Sequence, residues 1–456
     1  MRFGLDFGTS NSTLAVSDGG AVTVLALDPL AGAVMPSVLY VRNERRAPES
    51  ARGPGRSDTS VFVGRAAIDA YLADNVARGP IRREFKLLDV RMASSDPEQP
   101  TVQAHIYTDL HAPGRLFQAL KSFLGDPLLQ PTNVFGTARG LSELIALLFV
   151  AVRERAAALT GVRPSAITLG RPVRFVGGEA GEARAVARLR EAAELAGFGE
   201  VAFVYEPVAA AHAAAVPEGT TLVFDFGGGT LDLCLVRREG ARLRVLATAG
   251  RDIGGDRCTE LLIDDVVAPR LGADAIWGPK RLRLPAYIAN AIRDWHALSA
   301  LNEKPLLDTL DDLVRMGAPR RELDSLRSAI ELQLGYEIFA TVDRAKCELS
   351  DRIATLLIYH RAAVDVDVRF TRLRFERLIA PLLRAADDGL AQVLRAAGVD
   401  ASDVVEVVCT GGSSAIPAAR ALLARRFPRA RVRDADPYTS VAAGLALPDV
   451  VPAALG

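Results

Sequence analysis

The chain has 456 residues, 49% of them hydrophobic, with 55 basic against 55 acidic side chains and a formal net charge of zero. That length exceeds one ordinary core and calls for two domains or two large lobes. The neutral balance offers neither the basic excess of a nucleic-acid binder nor an acidic tail for a basic partner.

Four widely spaced cysteines (Cys234, Cys258, Cys347, Cys409), without a CxxC pair, argue against a zinc site or a disulfide framework and fit a reduced, cytoplasmic setting. The chain opens on "MRFGLDFGTS", with no charged-then-apolar leader. Its most apolar stretch, Leu141 to Val152, is too short for a bilayer and reads as a buried helix, so no membrane contact is expected. Only five basic residues are lysines, so a retained lysine hints weakly at a need for a compact charge.

In chain order, "RFGLDFG" alternates as a strand, and "STLAVSDGGAVTVLAL" predicts a hairpin turned at Asp18-Gly19-Gly20. Residues 42–60 are polar and rich in Arg, Pro, Gly and Ser, which predicts an exposed loop. Leu141 to Leu159 has helical period, "SAITLGRPV" reads as a strand entering a loop, and "GEARAVARLREAAELAGF" as an amphipathic helix closed by Gly197. "EVAFVYEP" is a further strand, followed by a short small-residue helix.

From Thr220 the opening pattern restarts. "LDFGTSNSTLAV" and "FDFGGGTLDLCLV" share Asp-Phe-Gly, with Asp6 and Asp225 separated by 225 − 6 = 219 residues. Such a repeat predicts two similar α/β lobes facing one another. Residues 259–356 read as mostly helical, broken near 279–285, and "VVEVVCTGGSSAIPAARALLARRF" as a buried strand, a Gly-Gly turn and a helix.

A Gly-rich turn after a strand lets backbone N–H groups approach phosphate oxygens with no Cβ in the way. "DFGTSNS" supplies Gly8, Thr9 and Ser10, while "DFGGGT" supplies Gly227, Gly228, Gly229 and Thr230. Asp6 and Asp225 then occupy matched places for holding hydrated Mg²⁺. One such hairpin alone would be read as an ordinary turn; two in a duplicated frame favour the phosphate site. Other signals stay open. "CTGGSSAIP" (Gly411, Gly412, Ser413) and "DIGGDRC" (Gly254, Gly255) are either ligand turns or tight packing. Glu206 is either a cleft carboxylate or a surface residue at a turn. Lys121 either reaches a phosphate or lies along the surface. Asp232 reads as structural.

Taken in order, "GLDFGTSNS", "ALKSFLG", "YEPVAAA", "VFDFGGGTLDLCLV", "AGRDIGGDRCTELL", "RAKCELS", "FTRLRFERLIAPLL" and "CTGGSSAIPAARALLARRF" resemble the nucleotide-binding domain of the DnaK-type, seventy-kilodalton heat-shock chaperones, within the actin-like ATPase superfamily. Coverage runs over residues 1–447, and "GRPVRF" resembles the YegD-like subgroup. The resemblance implies an α/β, actin-like ATPase fold with two ribonuclease-H-like lobes around a nucleotide cleft. Lobe I would be residues 1–216, with an insertion at about 40–137. Lobe II would be 217–436, with a mostly helical insertion at about 257–356, and 437–456 a helix returning to lobe I.

The implied ligands are ATP or ADP with Mg²⁺, the metal held by Asp6 and Asp225. Lys121, Glu206, Asp225, Thr230 and Asp6 would serve slow hydrolysis. Gly8, Thr9, Ser10, Asn11, Gly227, Gly228 and Gly229 would bind phosphates. Gly254, Gly255, Asp343, Lys346, Ser350, Gly411, Gly412 and Ser413 would approach ribose and adenine. The base side departs from the pattern: Cys347 and Ala415 stand where stacking arginines are expected, and Tyr438 replaces an aspartate and could stack instead. Asn11 also departs, from a tyrosine-like position.

The resemblance leaves no acidic-aliphatic linker or β-rich peptide-binding part after residue 447. A partner protein reading the lobe angle is therefore expected, and the oligomeric state is left open. A non-hydrolysing, chaperone-associated scaffold is the alternative. A sugar-kinase relative is disfavoured by "YEPVAAA" and "RAKCELS".

Overall fold

The computed structural model describes residues 1–19, 21–46, 58–78, 113–173, 175, 178–240, 242–293, 295–302, 304–436 and 439–448. Tyr438 and the greater part of the 42–60 loop lie outside the described residues.

The first half runs β1 (Arg2–Phe7), β2 (Asn11–Ser17), β3 (Val22–Val24), β4 (Met35–Pro36), β5 (Leu39–Asn43), β6 (Thr59–Val63), α1 (Arg65–Arg78), β7 (Gly114–Phe117), β8 (Thr132–Val134), β9 (Thr137–Arg139), α2 (Leu141–Thr160), β10 (Ala166–Arg171), α3 (Gly178–Leu195), β11 (Glu200–Tyr205) and α4 (Glu206–Ala213). The second half runs β12 (Gly219–Phe226), β13 (Leu231–Glu239), β14 (Arg242–Arg251), α5 (Gly255–Leu262), β15 (Ile276–Trp277), β16 (Leu282–Arg283), α6 (Ala286–Ala291), α7 (Trp295–Ala300), α8 (Lys304–Arg315), α9 (Arg320–Glu331), α10 (Gly335–Asp351), β17 (Ala354–Arg361), β18 (Val364–Thr371), α11 (Arg372–Ala397), β19 (Val404–Thr410), α12 (Pro417–Arg426), β20 (Arg431–Asp434) and α13 (Ser440–Ala446).

The duplication read from Asp-Phe-Gly is a duplication of topology. One sheet has the order β3-β2-β1-β10-β11, with β4 on β2, and the other has β14-β13-β12-β19-β20. In both, the first two junctions are antiparallel and the next two parallel. The central strand of the second sheet, β12, buries Leu222, Val223 and Phe224 completely. That is the pattern of a strand covered on both faces, and it explains the apolar run around Asp225.

Two helices bind the sheets together. α4, which leaves the first sheet, packs on β12 and β13, while α13, which follows the second sheet, packs on β1, β2 and β10. They cross so closely that a Cβ on Gly444 would lie 1.9 Å from the Ala209 carbonyl oxygen. This accounts for the small residues in "VAAAHAAA" and "SVAAGLA": a larger side chain at the crossing would drive the sheets apart.

Two insertions meet away from this seam. β5, β6 and β7 form a small sheet carrying α1. Tyr71 of α1 meets Trp295 of α7 edge-on at 6.0 Å, and Trp295 meets Tyr336 of α10 at 5.1 Å. Arg65 donates to the Tyr336 hydroxyl at 3.3 Å.

Candidate functional site

The two sheets present their Asp-Phe-Gly turns to each other. Asp6 is the penultimate residue of β1 and Asp225 the penultimate residue of β12. Each turn is closed by the same bond, Gly8 N–H to Asn11 O at 2.9 Å and Gly227 N–H to Thr230 O at 3.0 Å. A Cβ on Gly8 would fall 2.3 Å from the Asn11 carbonyl, so the first turn requires glycine. Across the gap, a Cβ on Gly228 would meet Ser10 Oγ at 2.8 Å, and one on Gly229 would meet Thr9 Oγ1 at 3.3 Å. The three glycines thus let two backbones close on one small space.

That space is lined by Asp6, Gly8, Thr9, Ser10, Asn11, Lys121, Glu206, Asp225, Gly227, Gly228, Gly229, Thr230, Gly411 and Gly412 from the expected set. Thr13, Val34, Asp232, Thr410 and Val441 line it too. Asp232 is therefore no bystander. The repeat itself carries that signal, because 232 − 219 = 13 makes it the counterpart of Thr13, and the two registers agree: Asp6 faces Thr13 and Asp225 faces Asp232. The cavity measures ≈ 120 Å³.

Lys121, on a 3₁₀ turn (Leu120–Phe123), donates to Glu206 Oε1 at 2.6 Å with both side chains 9% exposed. Glu206 opens α4, which follows β11 directly. Thr230 Oγ1 donates to Asp232 at 2.9 Å. Among the described residues, four carboxylates and one lysine line this space, which leaves it short of positive charge. Burial, then Glu206, pushes Asp6 up to about 7 against the pull of Lys121. Burial and Glu206 likewise raise Asp232 to about 7, opposed by its bond from Thr230 and by Lys121. Burial, Asp232 and Glu206 hold Asp225 well above the ordinary carboxylate range. For Lys121, burial pulls downward, but Glu206 and Asp6 together raise it.

This donor set fits a cation. Among the described residues, no three His, Cys, Asp or Glu side chains converge tightly enough to chelate an ion directly. A divalent cation there would keep waters between itself and Asp6 and Asp225, as Mg²⁺ does readily.

The remaining expected residues lie behind the second turn. The N-terminus of α5 docks on it, Gly255 N–H to Gly227 O at 3.0 Å and Asp256 N–H to Gly228 O at 2.9 Å. A Cβ on Gly254 would stand 2.0 Å from the Gly228 oxygen. Ser413 Oγ donates to Gly227 O at 2.9 Å. Lys346 is tied down by Asp343 at 2.6 Å, Thr259 at 3.0 Å and the Gly255 carbonyl at 3.2 Å. Ser350 offers its carbonyl to Arg372 at 3.2 Å. None of Gly254, Gly255, Asp343, Lys346, Ser350 or Ser413 lines the cavity; Gly254, Gly255, Lys346 and Ser413 brace the turn that does. Cys347 is exposed.

A family model described as Hsp70 protein matches residues 182–271 and 328–452, a span that holds the second turn, α5, α10, the Gly411-Gly412 turn and α13. The chain is 27% identical to the chaperone protein HscA homolog of Bordetella petrii, over 98% of this chain and 57% of that protein. The chain is similar to Hsp70 proteins. A second HscA homolog, from Vibrio cholerae, is 25% identical over 98% of the chain and 57% of its own length. The chaperone protein DnaK of Mycoplasmoides gallisepticum is 29% identical over 57% of the chain and 37% of its own length. The chain thus spans little more than half the length of the HscA homologs it matches. Its mixed α/β architecture is that of the actin-like ATPase fold. No helix among the described residues is long and apolar enough to cross a membrane.

Proposed function

We propose that this chain binds Mg-ATP between its two glycine turns and hydrolyses it slowly to ADP and phosphate. The changing angle between its lobes would be read by a partner protein in the cytoplasm. The observation that carries this reading is the facing pair of identically closed turns, with the Lys121–Glu206 pair and three aspartates between them. Placement in the YegD-like subgroup belongs to the same proposal.

Phosphoryl transfer asks the protein for positioning and electrostatics rather than covalent chemistry. The N–H groups of the turns and the Thr9, Ser10 and Thr230 hydroxyls hold phosphate oxygens. Asp6 and Asp225 hold the hydrated metal, whose charge neutralises the phosphates when bound. Lys121, kept protonated by its acidic neighbours, reaches the transferred group, and Glu206 orients both the lysine and the attacking water. Because the turns belong to different lobes, ligand between them sets the lobe angle.

A second reading, a nucleotide-gated scaffold without turnover, is favoured by the base side. There Lys346 is fully engaged by Asp343, Thr259 and Gly255, and Cys347 and Ala415 replace the stacking arginines the resemblance implies. Phosphate release by purified protein with Mg-ATP, beside calorimetry with ATP, ADP and GTP, tests both. Binding with turnover supports the ATPase, binding without turnover supports the scaffold, and no binding overturns both.

A further inference from the structure

The "LGRPVRF" stretch is not absorbed by the phosphate site, yet its arginine is buried. Arg171 ends β10 with only 3% of its surface exposed. Its guanidinium lies 4.8 Å from the Tyr205 ring centre and 5.6 Å from that of Phe175, and it pairs with Glu182 on α3. Among the described residues its Nε has no hydrogen-bond partner. A buried guanidinium with an unsatisfied N–H is a costly choice at a position where an apolar side chain would pack more cheaply.

What it touches leads in two directions to the site. Arg171 and Tyr205 are register partners on parallel β10 and β11, and the residue after Tyr205 is Glu206. One position earlier, a Cβ on Gly170 would stand 3.0 Å from Glu206 Cγ, so the end of β10 forms the wall against which Glu206 rests. In the other direction, the backbone of Val173, two residues on, helps to hold down the Asp232 carboxylate on the opposite sheet. Phe175, on the far side of the guanidinium, closes the loop.

We propose that Arg171 is a positioning residue: by clamping Tyr205 and Phe175 and pairing with Glu182, it fixes the end of β11 and with it Glu206. The proposal rests on the ATPase reading for its kinetic consequence and on the geometry of β10 and β11 for the placement of Glu206. Arginine suits the task because its planar face stacks on both rings while its edge pairs with Glu182.

The test compares Arg171→Met, Arg171→Lys and Glu182→Gln in the full chain. Phosphate release, calorimetric Mg-ATP affinity, thermal unfolding and hydrogen exchange of the β11 amides are measured for each. Arg171→Met keeps the bulk and loses the charge. Its kcat is expected to fall about tenfold or more, as small displacements of reacting groups do. Its Mg-ATP affinity should hold within about twofold, and the β11 amides next to Glu206 should lose protection. Arg171→Lys keeps the charge without the planar face and should recover kcat and protection only in part, while Glu182→Gln, at a partly exposed site, shows the same split in weaker form. A folded Arg171→Met protein with wild-type kcat and protected β11 amides overturns the proposal. So does loss of kcat and affinity together. If the wild-type protein shows no turnover, the ATPase reading fails, and protection of the β11 amides alone decides the role of Arg171.

Discussion

Ser10, in the first glycine turn, donates a 2.8 Å hydrogen bond to Asp256 at the start of α5, 246 residues away on the other lobe. The hydroxyl expected to hold a phosphate oxygen is thereby engaged by a carboxylate. Any phosphate entering between the turns must displace Asp256 from Ser10 and also meet its charge. A hydrogen bond to a charged group is worth about 1.5–3 kcal/mol. Asp256→Ala should therefore speed nucleotide association by about tenfold, at the modest expense of an acidic residue in the first turn of α5. Stopped-flow binding of a fluorescent ATP analogue measures this; an unchanged association rate means that the contact does not hold the turns shut.

Among the described residues, Lys121 is the one cation lining a cavity with four carboxylates. Replacing it with alanine removes the donor to Glu206 and the charge facing the transferred group, but none of the backbone amides of the turns. Lys121→Ala should lower phosphate release by at least about 10²-fold, the usual consequence of deleting one preorganised electrostatic group from a site. ATP affinity should stay within a few-fold. Turnover that survives in the folded variant, measured against calorimetric binding, sinks the assignment of Lys121 and with it the hydrolytic mechanism.

The raised carboxylates make stability depend on pH in a defined direction. Asp6 and Asp232 move from an ordinary 3.8 to about 7 in the fold. Between roughly pH 4 and 7 the folded chain holds protons that the unfolded chain has released, so stability falls as pH rises through that window. Above it the carboxylates are charged and the repulsion is fully felt. A divalent cation relieves that repulsion only once the protons have left. Millimolar Mg²⁺ should raise the unfolding midpoint clearly at pH 8 and little at pH 6, as read by thermal melts with and without the metal. Equal shifts at both pH values contradict a cation site built on these aspartates.

The phosphate half of the site is legible because its signals are local. A glycine run after a strand, an aspartate inside it and a matched copy 219 residues on are all visible in one dimension. The same repeat places Asp232 opposite Asp225, but a residue reads as a partner only once β12 and β13 are put in register. Lys121 and Glu206 stay ambiguous in sequence because what decides them is a 2.6 Å contact across 85 residues. Lys346 and Gly254, read as approaching ribose and adenine, also carry a structural contact that the sequence does not announce. Their chemistry suits a ligand, yet α5 packs so closely on the Gly227–Gly229 backbone that both are used to support it. Arg171 carries no sequence signal beyond being an arginine among fifty, since its two rings and its glutamate come from three different elements.

The aromatic contact between the insertions gives the last prediction. Trp295 of α7 meets Tyr71 of α1 at 6.0 Å and Tyr336 of α10 at 5.1 Å, both edge-to-face. The first contact joins the two insertions, whereas the second lies within one of them. Each pair is worth about 0.5–1.5 kcal/mol beyond the area it buries. If the lobes must part to release nucleotide, breaking the joining contact from either side should speed release by about 3–10-fold, the kinetic equivalent of that energy. Tyr71→Ala acts from the first insertion and Trp295→Leu from the second; an opening mechanism requires the same sign from both. Tyr336→Leu, which spares the Tyr71–Trp295 pair, should change release less. Release is followed by chasing a fluorescent ADP analogue with excess ATP. Faster release in Trp295→Leu but not in Tyr71→Ala would trace the effect to loosening of the helical insertion instead of parting of the lobes.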